Sequence, residues 1–381
     1  MRYKQIALSL LVIVILTSVS FFNIGGCGGG GGCDLEFNAD SESICELHRI
    51  DRKCKSFKYT PPCSGFGCFN SRRCELFGCK VGCSDNSSEE PEGFNIPNDI
   101  AVATNGDIVV IENGLQAVVH LDQTTGDRTI ISDDSTGIGP AFGFVNGIAV
   151  ETGGDFVVVD TKIGVGRVVH VDQITGDRTI ISDDITGIGP SLFSLVGIAV
   201  ATDGDFVVAS FARFILHVDQ ITGDRTILSD SNNGIGPGFD LPRDIAVTTD
   251  GDFVVIDDGI DAVVHVDQTT GDRTIISDDI TGIGPGFVFP RDIAVLLDGD
   301  FVVIDDFLDA VVHVDQITGD RTILSNSNNG SGPGFVLPRG IAVTTDGDFV
   351  VTDLGLGAVI LVDQFTGDRT IISDDSTGSG P

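Results

Sequence analysis

The sequence predicts an all-β chain: a six-bladed β-propeller of four-stranded antiparallel blades, preceded by a small disulfide-rich module. Three observations carry this. One phrase, of which Ile245 to Ser277 (IAVTTDGDFVVIDDGIDAVVHVDQTTGDRTIIS) is a clean copy, is written six times. Its Ile-Ala-Val starts at Ile100, Ile148, Ile198, Ile245, Ile293 and Ile341, and its Thr-Gly-Asp-Arg-Thr ends at Thr129, Thr179, Thr226, Thr274, Thr322 and Thr370. Each copy holds four short β patterns, here Ile245–Thr248, Asp252–Asp257, Ala262–Asp267 and Arg273–Ser277, bounded by turn residues. Units of this length with four strands bury their faces only against neighbouring units, which is how propeller blades are built. Finally, all nine cysteines precede residue 84 and none lies in the repeats.

At the N-terminus, Arg2 and Lys4 precede an apolar run from Ile6 to Phe22 and then small residues up to Cys27, the pattern of a secretory signal peptide over 1–26. Ile24-Gly25-Gly26-Cys27 resembles the bacterial lipobox, in which Cys27 is lipidated and anchors the chain to the membrane. Ordinary cleavage nearby and an uncleaved anchor are the alternatives, and all three export the chain. A lipidated Cys27 leaves eight cysteines, Cys33, Cys45, Cys54, Cys63, Cys68, Cys74, Cys79 and Cys83. In an exported module over 33–83, too small for its own core, these predict four disulfides of unspecified connectivity. Zinc is the weaker alternative, since paired Cys-x-x-Cys knuckles are missing and His48 is the module's one histidine. Residues 27–32 form a lipidated cysteine with a glycine tether, and 84–92 (SDNSSEEPE) a polar linker. The propeller then occupies 93–381, with repeats at about 93–140, 141–190, 191–237, 238–285, 286–333 and 334–381.

Charge is uneven. Residues 1–85 carry 10 Lys+Arg against 8 Asp+Glu, leaving 12 against 48 for the rest of a chain whose net charge is −34. Such a surface excludes nucleic acid as a partner, because phosphate binding needs clustered Lys and Arg.

Within a blade, Asn105-Gly106, Gly153-Gly154, Asp203-Gly204, Asp250-Gly251, Asp298-Gly299 and Asp346-Gly347 predict two-residue type I′ turns between strands one and two. Asp-Gln-x-Thr-Gly-Asp joins strands three and four. Its recurrence in every blade favours loop-bonding Asp and Thr side chains over calcium ligation. These two connections share one face of the ring, which is nearly uniform. The other face carries the second-to-third loops and the lead-in segments, and these differ from blade to blade. Individuality on one face suits a ligand-binding surface, although exposed loops also drift.

On that variable face the second strands end in Glu112, Asp160, Ser210, Asp257, Asp305 and Asp353, while Asp99 and then Arg243, Arg291 and Arg339 stand in the lead-in segments. Carboxylates beside a half-ring of arginines would bind an anionic or sugar ligand, or hold a cation. The structural alternative is that each Asp caps its own loop and each Arg pairs with a nearby Asp. His120, His170, His217, His265 and His313 share one third-strand position with Leu361, which reads as a packing site. No serine elbow, phosphate loop or Cys–His pair appears in the ring.

Leu337-Pro338-Arg339-Gly340-Ile341-Ala342-Val343, with Asp346-Gly347 and Val350-Val351-Thr352-Asp353, resembles the NHL repeat, and the resemblance extends over about Gly93 to Pro381. Similar six-bladed propellers include the gluconolactonase-like hydrolases and the streptogramin-lyase-like proteins. The hydrolases hold a divalent metal through one Glu, one Asn and one Asp, for which the resemblance offers Glu112, Asn98 or Asn146, and Asp257 as stand-ins. The lyases use a His and Glu pair not matched here. Plain NHL propellers mostly bind proteins or other ligands without catalysis. The expected function is therefore a non-catalytic binding propeller on the bacterial cell envelope, periplasmic or at the cell surface, with a protein or glycan partner. No cofactor is required, and calcium is the cation its acidic loops would take. The alternative is a metal-dependent hydrolase or a lyase acting in the propeller mouth.

Overall fold

The computed structural model describes residues 93–381 apart from 104 and 163, together with three short N-terminal strands. Contacts divide the chain into two units, Met1–Asn86 and Ser87–Pro381. In the first, Phe66–Cys68, Cys74–Leu76 and Cys79–Lys80 form an antiparallel sheet in which Cys68 and Cys74 are register partners. The expected signal peptide, the lipidated Cys27 with its tether, and the disulfides of the 33–83 module lie outside the described residues and side chains.

The second unit is a ring of six four-stranded antiparallel sheets, each built from consecutive strands. Blade 1 comprises Pro97–Val102, Ile108–Glu112, Ala117–Leu121 and Arg128–Ser132. The first strands of neighbouring blades touch one another all the way round, so they line the axis. The second strands, such as Phe253–Asp257, are buried at every position, apart from the last two residues of the longer Phe156–Lys162 in blade 2. A strand sandwiched between two blades has no polar face, and Phe-Val-Val-Ile-Asp accordingly runs apolar without alternation. Each hydrophobic cluster joins two successive blades: Val109, Ile111 and Val118 of blade 1 pack on Phe156, Val158 and Val169 of blade 2. Val350 and Val359 of blade 6 meet Ile108, Val110 and Val119 of blade 1 in the same way.

Two predicted local features differ. The first connection of each blade is a three-residue loop, not a two-residue type I′ turn. In blade 4 the Thr248 N–H donates to the Asp252 carbonyl at 2.9 Å and the Gly251 N–H to the Thr248 carbonyl at 3.0 Å. Only Gly251 has positive φ (92°), while Asp250 does not. This is a type I turn closed by a glycine bulge, the form that a single left-handed residue permits. The histidines, in turn, are not packing residues. Each is partly exposed and meets an acid of its own first hairpin, as in His217 Nε2 to Asp205 Oδ2 and His265 Nε2 to Asp252 Oδ2, both at 3.0 Å. His170 meets Glu151 at 2.7 Å, and this bond raises its pKa.

The third-to-fourth turn follows the expected loop chemistry. Asp267 Oδ1 accepts the Thr269 and Thr270 N–H groups at 2.9 and 2.7 Å, and Gly271 has φ of 71°. Gly271 also lies where a Cβ would come within 2.1 Å of the Leu228 carbonyl of blade 3, so its bareness serves blade stacking as well.

One arginine per blade clamps the junctions. Arg273 donates to Ser229 Oγ of the preceding blade and, through Nε, to the Pro237 carbonyl at 2.6 Å, and its guanidinium lies 5.4 Å from the Phe239 ring centroid. Ser229 Oγ in turn donates to the Gly271 carbonyl at 2.6 Å. The closing junction repeats the device. Arg128 donates to Ser373 Oγ at 2.6 Å and the Pro381 carbonyl at 3.1 Å, over Phe94, and Asp127 accepts the Ser379 N–H at 2.8 Å. The ring therefore closes by face packing and this clamp, with every sheet made of one repeat's own strands.

Candidate functional site: the axial mouth

Every first strand carries a β-bulge just after its start, between Pro242 and Asp244 in blade 4 and at the equivalent place in the others. A bulge takes one side chain out of the ladder and re-aims it. Asn98, Asn146, Val196, Arg243, Arg291 and Arg339 occupy this position in blades 1 to 6, so the mouth is amide and apolar on one side and basic on the other. The Asn98 and Asn146 amides donate to the Asn146 and Leu195 carbonyls of the following blades, each at 2.9 Å. Arg243 donates through Nε and Nη2 to Asp258 Oδ2 at 3.0 and 2.7 Å, and Arg291 through Nε to Asp306 Oδ2 at 2.8 Å. Arg339 is different: Leu354 stands where Asp258 and Asp306 stand in their blades. Its Nη1 comes only within 3.9 Å of Asp306, across the blade junction, and its Nε is buried without a hydrogen-bond partner.

One residue further in lies a second ring, Asp99, Gly147, Gly197, Asp244, Asp292 and Gly340. Asp99 accepts the Ile100 N–H of its own blade and the Ile148 N–H of the next, both at 2.8 Å. Asp292 accepts those of Ile293 and Ile341 at 2.8 and 2.6 Å. A Cβ on Gly197 would come within 2.3 Å of Asp244 Oδ1, so the glycine makes room for its neighbour's carboxyl. The charges of Asp244 and Asp99 both act on Asp292, and that of Asp244 acts on Asp99, so the three carboxyls influence one another across the axis. Burial and then the charge of Asp244 push the Asp99 carboxyl up to about 7. Burial likewise raises Asp244, and Asp292 goes well above the usual carboxylate range.

The second-strand acids do not join this cluster. Glu112 accepts the Asn95, Ile96 and Gly114 N–H groups; Asp257 those of Asp240, Leu241 and Gly259; Asp305 those of Val288, Phe289, Phe307 and Leu308; and Asp353 those of Val336, Leu337 and Leu356. Asp160 accepts the Gly143 N–H and pairs with Arg167. Each of these carboxylates ties its own blade's lead-in segment to its second-to-third loop, the capping arrangement. The structure thus gathers Asp99, Arg243, Arg291 and Arg339 at the axis and leaves Glu112, Asp160, Asp257, Asp305 and Asp353 in separate loops. Asp244, Asp292, Asp258 and Asp306 escaped the sequence reading as site residues. The signal for the first two was the Asp/Gly alternation just before Ile-Ala-Val.

Around the mouth stands an apolar collar. Leu241, Phe289 and Leu337, each two residues before an arginine, are 40%, 38% and 39% exposed, and the Phe289 and Phe307 rings lie 6.3 Å apart. Hollows of about 260 and 330 Å³ lie elsewhere, on the uniform face beside the His265 and His120 pairs. Among the described residues, one set of three His, Cys, Asp or Glu groups brings its ligand atoms within 4.8 Å of one another: Asp203, Asp205 and His217, on that same uniform face. Glu112 and Asp257, the stand-ins for a hydrolase metal site, are not among them, and both spend their oxygens on backbone N–H groups.

No sequence profile of a known protein family matches the chain, and no curated relative does. Similar solved structures are numerous. A protein of unknown function from Bacteroides thetaiotaomicron is 14% identical with a TM-score of 0.55, covering 70% of this chain and 69% of that one. An auxiliary nutrient binding protein from Bacteroides ovatus is 17% identical at 0.54, with 70% and 69% covered. Virginiamycin B lyase from Staphylococcus aureus is 13% identical at 0.51, with 73% and 84% covered. At such identities the likeness concerns the fold, and it agrees with the resemblance carried by the repeats: the chain is a six-bladed β-propeller of the architecture found in streptogramin-lyase-like and Bacteroides propeller proteins.

Proposed function

We propose that the chain is a non-catalytic binding propeller, exported, held on the bacterial envelope through a lipid on Cys27, and engaging a protein or glycan on its variable loop face. One observation carries this reading: six equivalent bulge positions at the mouth hold Asn98, Asn146, Val196, Arg243, Arg291 and Arg339, whereas the opposite face repeats one turn six times. A rigid frame with individual residues on one rim suits recognition of a specific partner. The auxiliary nutrient binding proteins from Bacteroides with this fold lend it support. No cofactor is needed for such binding.

The rival, a metal-dependent hydrolase, draws less support, because Glu112 and Asp257 are committed to their own loops. The test is binding of the purified chain to glycan and peptide arrays. Signal should fall with Phe289→Ser plus Phe307→Ser on the variable face and persist with Ile221→Ser plus Ile317→Ser on the uniform face. Ester or lactone hydrolysis abolished by a chelator would overturn the reading. Fatty-acid labelling lost in Cys27→Ser checks the anchor.

A further inference from the structure

Three guanidiniums share the basic half of the mouth. Their side chains are only 21%, 26% and 19% exposed at Arg243, Arg291 and Arg339, so each shows an edge to solvent while its stem is enclosed. They lie close enough that, after burial, the charges of Arg339 and Arg243 are the largest influences lowering the Arg291 pKa, and Arg243 also lowers that of Arg339. Two carboxylates make direct contact with them, Asp258 on Arg243 and Asp306 shared between Arg291 and Arg339. Asp353 also acts on Arg339 through its charge, but its oxygens bond the Val336, Leu337 and Leu356 N–H groups. Three like charges held together with two contacting counter-charges and a buried, unpartnered Arg339 Nε form an incomplete network. A buried donor without an acceptor costs free energy, and fork-shaped guanidiniums favour planar carboxylates.

We propose that this half of the mouth binds the carboxylate of a ligand with an apolar or aromatic body. The carboxylate completes the Arg291–Arg339 pair, and the body lies on the collar of Leu241, Phe289, Phe307 and Leu337. This rests on the binding reading above and names the ligand class for that face. The chain's strongly acidic surface slows anion approach at low salt, but at physiological ionic strength repulsion fades over about 8 Å. Once seated, the ligand feels the nearby guanidiniums more than distant acids.

The probe is phenylacetate, with phenylacetamide as its uncharged counterpart, titrated calorimetrically into the full chain at millimolar concentrations. Phenylacetate should bind saturably, and the amide about tenfold more weakly or not at all. Arg291→Met and Arg339→Met should each weaken the acid about tenfold, with Arg291→Lys in between because it keeps the charge and loses the fork. Equal binding of acid and amide, no binding of either, or full acid binding by a folded Arg→Met variant would overturn the proposal. Should the Met variants fail to fold, the acid-to-amide comparison on the unchanged chain decides. A failed acid titration with array binding that still depends on Phe289 and Phe307 would sink the carboxylate slot and leave the binding face standing; loss of that dependence would sink the face itself.

Discussion

Raising the pH from about 4 to above 7 should destabilise the propeller through its axial aspartates, and Asp244→Asn should remove part of the effect. The Asp99 carboxyl is raised from an ordinary value of 3.8 to about 7. A group whose folded pKa is raised contributes fully below its unfolded pKa and loses that contribution as pH rises through the folded value. At about 1.4 kcal/mol per unit, Asp99 alone accounts for about 4 kcal/mol lost between pH 4 and 7. Asp99 as a residue is only half-buried, and solvent screening there lowers this figure. Asp244 and Asp292 shift in the same direction, as do Glu112, Asp257 and Asp305 under burial. The turn aspartates such as Asp267 are lowered instead, so they act below pH 4, outside this window. Unfolding entropy of about 2.1 cal/mol/K per residue, over roughly 290 residues, converts 4 kcal/mol into about 7 °C of melting temperature. Thermal melts of 93–381 followed by circular dichroism should therefore fall by several degrees from pH 4.5 to 7.5. In Asp244→Asn the slope should flatten and the midpoint at pH 7.5 should rise, because the charge that raises both Asp99 and Asp292 is gone. A profile that is flat or rising in the parent, or unchanged in the variant, would refute the reasoning from buried, mutually repelling axial carboxyls.

Three further outcomes are expected. Arg273→Met removes the hydrogen bonds to Ser229 Oγ and the Pro237 carbonyl and the contact over Phe239, and should cost about 3 kcal/mol or more in urea denaturation. Gly197→Ala drives a methyl against Asp244 and should cost about 1–3 kcal/mol by the same measurement, whereas Gly153→Ala, with open space around it, should change little. Chelator treatment should leave the melting midpoint of the 93–381 unit unchanged; a fall of several degrees would restore the metal reading of the mouth.

The six blades, their four strands and the chemistry of the Asp-Gln-x-Thr-Gly-Asp turn are determined locally, by apolar runs of strand length and by residues that bond their own backbone. The sequence alone therefore settles the architecture. It also shows which face varies, because comparing copies within one chain exposes every substitution. It misleads where a local pattern has two solutions. Asp250-Gly251 fits a type I′ turn and a bulged type I turn alike, and only the strand pairing chooses between them. His265 beside valines looks like packing until the hairpin brings Asp252 beneath it.

Charge at the mouth belongs to tertiary structure altogether. Glu112, Asp257, Asp305 and Asp353 look like a ring of free carboxylates on paper, yet each turns back on its own blade's N–H groups. Asp99, Asp244 and Asp292 are separated by up to four blades of sequence and meet because the first strands of all six blades converge on one axis. Leu354 denies Arg339 a carboxylate of its own blade, and its nearest carboxylate contact, Asp306 at 3.9 Å, exists only because blade 5 stands beside blade 6. Backbone geometry is set by neighbours in the chain, whereas pKa values and unmet hydrogen bonds are set by neighbours in space, and closure of the ring decides which residues those are.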